Sequence, residues 1–447
     1  MGAIPGRTPM FAKLFTSTDL AETLRRRAAT ITGAVLIGVV ALSFAAASDA
    51  AQRLFAILAE QFSWGLIMVT PLGFALLVYL TRLVAPEARG SGVPQVIAAA
   101  PLPQPERSPL LSVRTAASKY LLTIAGLLIG ASSGREGPTV QISAAIMTTM
   151  HRVFRVPLSS AVVIAGGAAG VSAAFNTPLA GVTFALEELA AAYEQRMTLL
   201  VMAAVVISGL VSLGIAGDYL YFGSLQDTIA MGPGLIAVPI IAVIGGAAGG
   251  VFSRIVLFMS NARFRLPGPI REHPVMFAGA CGFVVAAVGL ASGGISWGTG
   301  YAPAKALIEG ASQPIWFAPA KFVATLATSI SGIPGGVFAP SLSVGAGLGG
   351  LLAPLFSTIP PGSVALLAMT AYFVGVVRAP LTSTVIVMEM TNSRSMLIAL
   401  LACAIIAEGV ARLVCRERLY HGLAKPFRAS ADVAAAKPGA SPPAHPQ

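Results

Sequence analysis

The chain has 447 residues, of which 55% are hydrophobic and 11% are charged, and its formal net charge is +11. Soluble domains carry about 25% charged residues, so this composition excludes a soluble enzyme. Its 47 glycines and 31 prolines lie inside apolar stretches, which also excludes a disordered chain. The composition predicts an all-α polytopic membrane protein that crosses a bilayer on the order of ten times, at ~20 residues per span.

The chain begins with a polar, basic leader over residues 1–27, which ends in Arg25, Arg26 and Arg27. The apolar run 28–47 is longer than the ~7–15 residues of a signal-peptide core, so we expect it to remain as the first span. Basic residues also follow the last apolar segment, and such clusters mark the cytoplasmic side of a membrane. We therefore expect both termini in the cytoplasm and no nucleic-acid partner.

Apolar segments follow one another up to about residue 425, and several are too short or too interrupted by Gly and Pro to cross a bilayer as one helix. Short, broken segments indicate partial helices around a buried site. We expect one transmembrane domain over residues 28–425 and a disordered, Ala/Pro-rich cytoplasmic tail over residues 426–447. The four histidines and three cysteines lack metal-ligand spacing, so we expect neither a metal nor a cofactor.

An internal repeat covers much of this domain. A shift of 202 residues aligns the stretch from Lys119 to Glu187 with the stretch from Lys321 to Glu389 without a gap. Further matched pairs are Gly130 with Gly332, Gly134 with Gly336, Pro138 with Pro340, Pro178 with Pro380, and Leu179 with Leu381. Duplicated halves are typical of secondary transporters and place the substrate site where the repeats meet. The halves centre on 119–188 and 321–390, and the sequence by itself leaves open whether they are inverted.

Ionisable groups inside apolar segments are informative because a charge at the bilayer centre costs ~2.5–3.5 kcal/mol. The run Gly-Arg-Glu-Gly-Pro at 134–138 combines a glycine-rich backbone with a proline suited to a helix start, which aims free N–H groups at an anion. Arg135 adds positive charge, and Glu136 can occupy the same site or take up a proton. The alternative is a solvent loop with an ordinary Arg–Glu pair.

Three further segments carry groups that can bind an anion or a proton, but each is a weaker signal by itself. The Gly/Pro-rich run 332–340 repeats this pattern and offers the amides of Val337 and Phe338 to an anion. In the run 90–94, Ser91 lies between two glycines and can donate to an anion. The adjacent carboxylates at 187–188 end an apolar run. The alternatives are ordinary turns for the first two segments and a solvated helix end for the third.

These motifs together resemble the CLC family of chloride channels and transporters. The matching segments are 90–94, 134–138, 174–181, 332–340, 378–391 and 418–420. The resemblance extends from about residue 30 to residue 425. It implies a homodimer in which each subunit has its own pathway, built from two inverted repeats whose broken and partial helices meet at a midplane anion site.

The resemblance also implies roles for individual residues. The hydroxyl groups of Ser91 and Tyr420 and the amides of Val337 and Phe338 coordinate a central anion. The amides of Arg135 and Gly137 belong to an outer anion site.

Two carboxylates complete the implied site. Glu136 is the external gate and proton acceptor, and Glu188 is the internal proton acceptor. Because both positions are acidic, the resemblance implies an electrogenic chloride/proton antiporter rather than an enzyme, with a passive chloride channel as the alternative. A membrane-embedded enzyme would need a metal or nucleophile–base cluster, which the sequence lacks. The implied setting is a bacterial inner membrane, with chloride, protons and lipid as partners.

Overall fold

The structure is a computed structural model that describes residues 17–103, 107–189, 195–217, 220–229, 231–260 and 272–435. These residues form seventeen α-helices and two isolated β-bridges, and they contain no β-strand. The expectation of an all-α fold is therefore confirmed.

The helices of the first part of the chain are α1 (Ser17–Gln61), α2 (Leu66–Val84), α3 (Val93–Ala99), α4 (Val113–Leu128), α5 (Glu136–Val153), α6 (Ser160–Phe175), α7 (Pro178–Phe184) and α8 (Gln195–Ala216). Those of the second part are α9 (Met231–Ser260), α10 (Pro274–Ala291), α11 (Tyr301–Ile308), α12 (Phe317–Ser331), α13 (Phe338–Leu352), α14 (Pro361–Val377), α15 (Pro380–Thr391), α16 (Leu397–Val414) and α17 (Leu419–Ala435). Helices α2–α8 correspond in order to helices α10–α16.

Within the described ranges, seven helices are long and apolar enough to cross a membrane. Others are far shorter than the ~20 residues of a full span. Helices α3 and α7 have 7 residues each, α11 has 8 and α15 has 12. The structure thus contains the partial helices that the interrupted apolar segments predict.

Reciprocal contacts relate the two repeats. Gly134 N–H donates to Gly336 O at 2.7 Å, and Gly336 N–H donates to Gly134 O at 2.8 Å. Glu187 accepts hydrogen bonds from the first amides of α15, and Glu389 accepts them from the first amides of α7. A contact that recurs with its partners exchanged is the mark of a two-fold axis. The repeats therefore meet across a pseudo-two-fold axis.

The repeats have opposite orientations. Helix α2 starts at Leu66, just after α1 ends, and crosses back to the face on which α1 begins. Its counterpart α10 ends on the opposite face, because Leu290 and Gly293 line a cavity together with Gln52 and Glu60 near the end of α1. The repeats are therefore inverted, which the sequence by itself left open and the resemblance implied.

Close helix packing holds α13 in the centre of the molecule. A Cβ atom at Gly345 would lie 2.6 Å from Met369 Cα of α14, and one at Gly349 would lie 2.4 Å from Ala365 Cα. Small residues four positions apart let the two backbones approach, as is common between transmembrane helices. Helix α14 is buried from Gly362 to its end, so α13 packs against a buried helix that holds it in place.

The ends of the chain differ from the expected boundaries. Helix α1 begins at Ser17, so the three arginines of the leader belong to this helix. Helix α17 extends to Ala435, beyond the expected start of the disordered tail at residue 426. Alanine favours the helical state, which explains why an Ala-rich segment continues the helix. Residues 1–16 and 436–447 lie outside the described residues.

Candidate functional site

Helices α5 and α13 begin side by side at the centre of the molecule. The first backbone hydrogen bond of α5 joins Thr139 N–H to Arg135 O at 3.0 Å, and that of α13 joins Ser341 N–H to Val337 O at 3.0 Å. The amides that precede Thr139 and Ser341 therefore have no partner within their helices. Two helix N-termini, each with a partial positive charge, point into one region and favour an anion there.

A glycine loop before α3 is held against this region. Gly90 and Gly92 have φ angles of 64° and 109°, which side chains disfavour. The loop pairs with the other repeat, because Gly335 N–H donates to Gly90 O at 3.1 Å. The buried ammonium group of Lys119 donates to Ala88 O at 2.6 Å and to Gly90 O at 2.7 Å. The lysine thus fixes the loop that carries Ser91.

Ser91 lies directly against the start of α5. A Cβ atom at Gly137 would lie only 2.3 Å from Ser91 Oγ. The second glycine of the Gly-Arg-Glu-Gly-Pro motif must therefore remain glycine, because the serine hydroxyl occupies the space of a side chain. The sequence places Ser91 and Gly137 far apart, and the fold brings them into contact.

The hydroxyl groups of Ser91 and Tyr420 lie near each other. Both are buried, and neither makes a well-formed hydrogen bond with another described group. Buried polar groups nearly always have partners, so two unpartnered hydroxyls in one place indicate a site for a ligand. The Tyr420 ring packs edge-on against Phe338, with the ring centres 5.7 Å apart. Phe338, the first residue of α13, thereby gives the site an apolar wall.

Glu136 is the first residue of α5 and is completely buried. The hydroxyl group of Tyr301 donates a hydrogen bond to its Oε1 atom. The other oxygen, Oε2, has no hydrogen-bond partner among the described groups and lies close to Gly134. The carboxylate thus occupies the N-terminal end of the helix, where an anion would also be stabilised.

The guanidinium group of Arg135 binds three groups on other elements. It donates to Asp49 Oδ1 at 2.6 Å, to Ala45 O at 2.6 Å and to the hydroxyl of Tyr221 at 3.1 Å. Asp49 balances its charge, so the arginine side chain anchors the start of α5 to α1. Its Nε atom has no partner among the described groups, and the role that the resemblance implies belongs to its backbone amide.

Glu188 lies in a single π-helical turn, Ala185–Leu189, that follows α7. Such turns are rare and are frequent at functional sites. Its side chain is fully buried, and the Nδ1 atom of His421 lies 3.3 Å from its Oε1 atom. Neighbouring Glu187 instead accepts hydrogen bonds from Leu381 N–H at 3.2 Å and Thr382 N–H at 2.7 Å. The two adjacent carboxylates therefore have different surroundings.

Each buried carboxylate lies behind a side chain that lines a cavity. The α1-start cavity has a volume of about 1070 Å³ and is lined by His421 and Leu189, among others. The α1-end cavity has a volume of about 750 Å³ and is lined by Asp49 and Tyr301, among others. Glu188 is thus next to the first cavity and Glu136 next to the second. In the described part of the chain, no group of three His, Cys, Asp or Glu residues could hold a metal ion.

Tyr301, His421 and the anchoring role of Lys119 were not predicted from the sequence. One signal for Tyr301 was present, because the run Gly298-Thr299-Gly300 before it mirrors the run 90–92. It lies outside the ungapped repeat that begins at Lys119, so the shift of 202 residues does not reveal it. His421 gave no signal, since it stands alone in sequence.

Sequence comparisons agree with this architecture. The sequence model of one protein family, described as voltage gated chloride channel, matches residues 72–412. The chain is 30% identical over 436 residues to the H(+)/Cl(-) exchange transporter ClcA of Yersinia pseudotuberculosis, an alignment that covers 90% of this chain and 89% of the relative. It is 31% identical over 376 residues to ClcA of Salmonella agona, covering 80% and 78% of the two chains.

Solved structures share the fold. A slow cyanobacterial Cl-/H+ antiporter matches with a TM-score of 0.79 at 22% identity, covering 91% of this chain and 98% of that chain. A CLC-type fluoride/proton antiporter matches with a TM-score of 0.75 at 23% identity, covering 92% and 99%. At these identities the structures establish a common fold. Together with the family match over most of its length, they show that the chain belongs to the CLC family of voltage-gated chloride channels and transporters.

Proposed function

We propose that the protein is an electrogenic chloride/proton antiporter. The observation that carries the proposal is the position of Tyr420. On one side of its unpartnered hydroxyl lies Ser91, which packs against Gly137 next to Glu136, and on the other the following residue, His421, contacts Glu188. An anion site between two groups that can each hold a proton is the arrangement that exchange requires. The exchange-transporter names of the curated relatives support the same activity.

In this proposal, chloride binds between the hydroxyls of Ser91 and Tyr420 and the amides of Val337 and Phe338. The cationic side chains nearby have other partners, since Arg135 pairs with Asp49 and Lys119 binds carbonyl groups. Amide and hydroxyl dipoles replace water around the anion without holding it as tightly as a full charge would. That balance lets the anion both enter and leave.

Glu136 serves as the gate and outer proton acceptor. As a carboxylate it competes with chloride for the N-terminal end of α5 and for the outer site formed by the amides of Arg135 and Gly137. A bound proton removes its charge, so chloride displaces it more easily. Glu188 accepts the proton on the other side of the anion site, and anions move in the opposite direction past Tyr420.

Orientation follows from the distribution of basic residues. Arg26 and Arg27 of α1 and Arg428 of α17 line the α1-start cavity. Clusters of Lys and Arg mark the cytoplasmic side, so both chain ends face the cytoplasm and the α1-end cavity faces outwards. For a bacterial protein this membrane is the inner membrane.

We further propose a homodimer with one pathway per subunit. Leu179 of α7 and Leu381 of α15 are 59% and 45% exposed, although both helices are too short to cross a bilayer. If these helices faced lipid, their ends would place backbone polar groups in hydrocarbon, which is unfavourable. A second subunit that covers α7 and α15 removes this cost. Single-molecule photobleaching in lipid vesicles tests this, with two bleaching steps expected and one step contradicting it.

The test of the function is proton flux in liposomes that contain the purified protein. A chloride gradient is imposed without a proton gradient, and both ions are followed. We expect uphill proton movement in the unmodified protein. In the variant Glu136→Ala, proton movement is lost and chloride flux continues. Chloride flux without proton movement in the unmodified protein would instead establish a passive channel.

A further inference from the structure

The side chain of His421 lies between the α1-start cavity and Glu188. His421 lines this cavity, and its side chain is 40% exposed. Its Nδ1 atom faces the opposite way and is shielded from solvent. The imidazole ring therefore has one edge towards the cavity and one towards the buried carboxylate.

Glu188 itself has no contact with solvent. Its side chain is fully buried, and neither oxygen accepts a well-formed hydrogen bond from another described group. The contact of 3.3 Å between His421 Nδ1 and Glu188 Oε1 is of the length at which a small shift of either side chain forms a hydrogen bond. The ring thus lies between the cavity and the carboxylate.

Other polar groups near Glu188 are engaged or unsuitable. Arg418 donates to Glu187 O at 3.3 Å, and the carboxylate of Glu187 caps α15. Arg428, which shares the cavity, donates to Ile97 O at 3.1 Å. Guanidinium groups keep their protons, whereas imidazole gains and loses one near neutral pH.

Further charged or titratable side chains that line the α1-start cavity belong to other helices. Arg26 at the start of α1 pairs with Glu22 at 3.0 Å. His151 of α5 is buried, with its Nδ1 atom 2.9 Å from Met147 O. Neither forms a hydrogen bond or an ion pair with Glu188. Among the described residues, His421 is thus the titratable side chain placed between the α1-start cavity and the carboxylate.

We infer that His421 is the relay that carries protons between the α1-start cavity and Glu188. The imidazolium Nδ1–H bond breaks as an O–H bond forms at Glu188 Oε1, which leaves a neutral ring and a neutral carboxylic acid. Rotation of the half-exposed ring turns Nδ1 to the cavity, where it takes a proton from a hydronium ion. Rotation back returns the protonated ring to Glu188 once that group has passed its proton on towards Glu136, and the reverse sequence carries protons from Glu188 to the α1-start cavity.

This inference rests on the proposed antiport and on the role of Glu188. The experiment uses the full chain in liposomes and compares His421→Gln with His273→Gln. His273 is an exposed histidine that directly precedes α10. Because α10 ends at the α1-end cavity, His273 at its start lies on the opposite face, which is the face of the α1-start cavity and of His421. It therefore serves as a control on the same face as His421. Chloride flux in the same vesicles shows that each variant is folded.

We expect His421→Gln to reduce chloride-driven proton flux by roughly tenfold or more, as for loss of a group that transfers protons. Chloride flux stays within about twofold, and His273→Gln behaves as the unmodified protein. The dependence of proton flux on pH at the α1-start face flattens in His421→Gln. In His421→Ala, imidazole added to the buffer restores proton flux, and it restores none in Glu188→Gln.

The outcomes separate the two ideas. If the unmodified protein moves no protons, or if Glu188→Gln keeps full proton flux, the proposed function or its inner acceptor is wrong. If both behave as proposed while His421→Gln keeps the proton flux and pH profile of the unmodified protein, the relay is overturned and antiport stands.

Discussion

The two repeats have the same backbone conformation but different chemistry. Asn176 and Arg378, which are 202 residues apart, end α6 and α14 in the same left-handed conformation, with φ angles of 56° and 63°. Gly130 and Gly332 likewise have φ angles of 86° and 88°. Lys119 and Lys321 both donate to three carbonyl groups of a glycine loop. The scaffold is thus duplicated in detail.

Reactive side chains do not follow this symmetry. The shift that relates the repeats places Phe338 opposite Glu136, and Met390 opposite Glu188. Thr299, the counterpart of Ser91, is already paired, because its N–H and hydroxyl groups both donate to Gln52 Oε1. The duplication therefore supplies a symmetric frame with two facing helix ends. Because these side chains differ between the repeats, the two ends of the pathway have different chemistry.

The largest expected effect comes from the paired lysines. Lys119→Met and Lys321→Met each remove three hydrogen bonds to a glycine loop, at ~1–3 kcal/mol for each carbonyl group that is left unpaired. We expect both variants to lower the melting temperature in detergent, and Lys321→Met to lower it more, because Arg89 O and Gly90 O keep the hydrogen bonds from Gln95 and Gly335. Lys119→Met alone weakens chloride binding, measured by isothermal titration calorimetry, because its loop carries Ser91. Equal loss of chloride binding in both variants would contradict a functional difference between the loops.

Tyr301 gives the next effect. Tyr301→Phe removes the hydrogen bond to Glu136, and a hydrogen bond to a charged group contributes about 1.5–3 kcal/mol. The carboxylate then competes less well with chloride, so we expect chloride to bind roughly tenfold more tightly by calorimetry. Tyr221→Phe is the control for ring packing, since the Tyr221 ring stacks on Tyr301 and its hydroxyl bonds Ala174 O and Arg135 rather than Glu136. A similar gain in Tyr221→Phe would point to ring packing instead.

A smaller effect separates Ser91 from its counterpart. The Ser91 hydroxyl has no hydrogen-bond partner among the described groups, so Ser91→Ala leaves the melting temperature unchanged and weakens chloride binding several-fold, by about 1 kcal/mol. Thr299→Val breaks the bond to Gln52, so it lowers the melting temperature and leaves chloride binding unchanged. Loss of stability in Ser91→Ala without a change in chloride binding would remove Ser91 from the site.

Much of the frame could be predicted because it depends on local backbone chemistry. Gly and Pro determine where helices break, and the spacing of these breaks recurs in both repeats, so the partial helices and the duplication were visible in the sequence. The family resemblance, confirmed by the sequence match, supplied the inversion that the repeat spacing left open. The roles of the individual site residues remain proposals, although the fold brings Ser91, Gly137 and Tyr420 together.

Contacts between distant segments could not be predicted. Tyr301 reaches Glu136 across 165 residues of sequence, and His421 reaches Glu188 from the last helix. Glu187 and Glu389 were recognisable in the sequence as a repeated pair. Only the three-dimensional structure shows that each of them caps a helix of the other repeat. The Ala/Pro-rich composition of the last residues resembles that of a linker, so the sequence predicted a disordered tail from residue 426. Alanines also favour a helix, and α17 extends to Ala435.

The most direct test of the account compares two adjacent carboxylates, Glu188→Gln and Glu187→Gln, in liposomes under a chloride gradient. Glu187 caps a helix of the other repeat, so its variant should be less stable, by about 1 kcal/mol, yet should keep proton movement coupled to chloride. Glu188→Gln should lose proton movement and retain chloride flux. Coupled proton movement in Glu188→Gln, or its loss in a folded Glu187→Gln alone, would contradict the account.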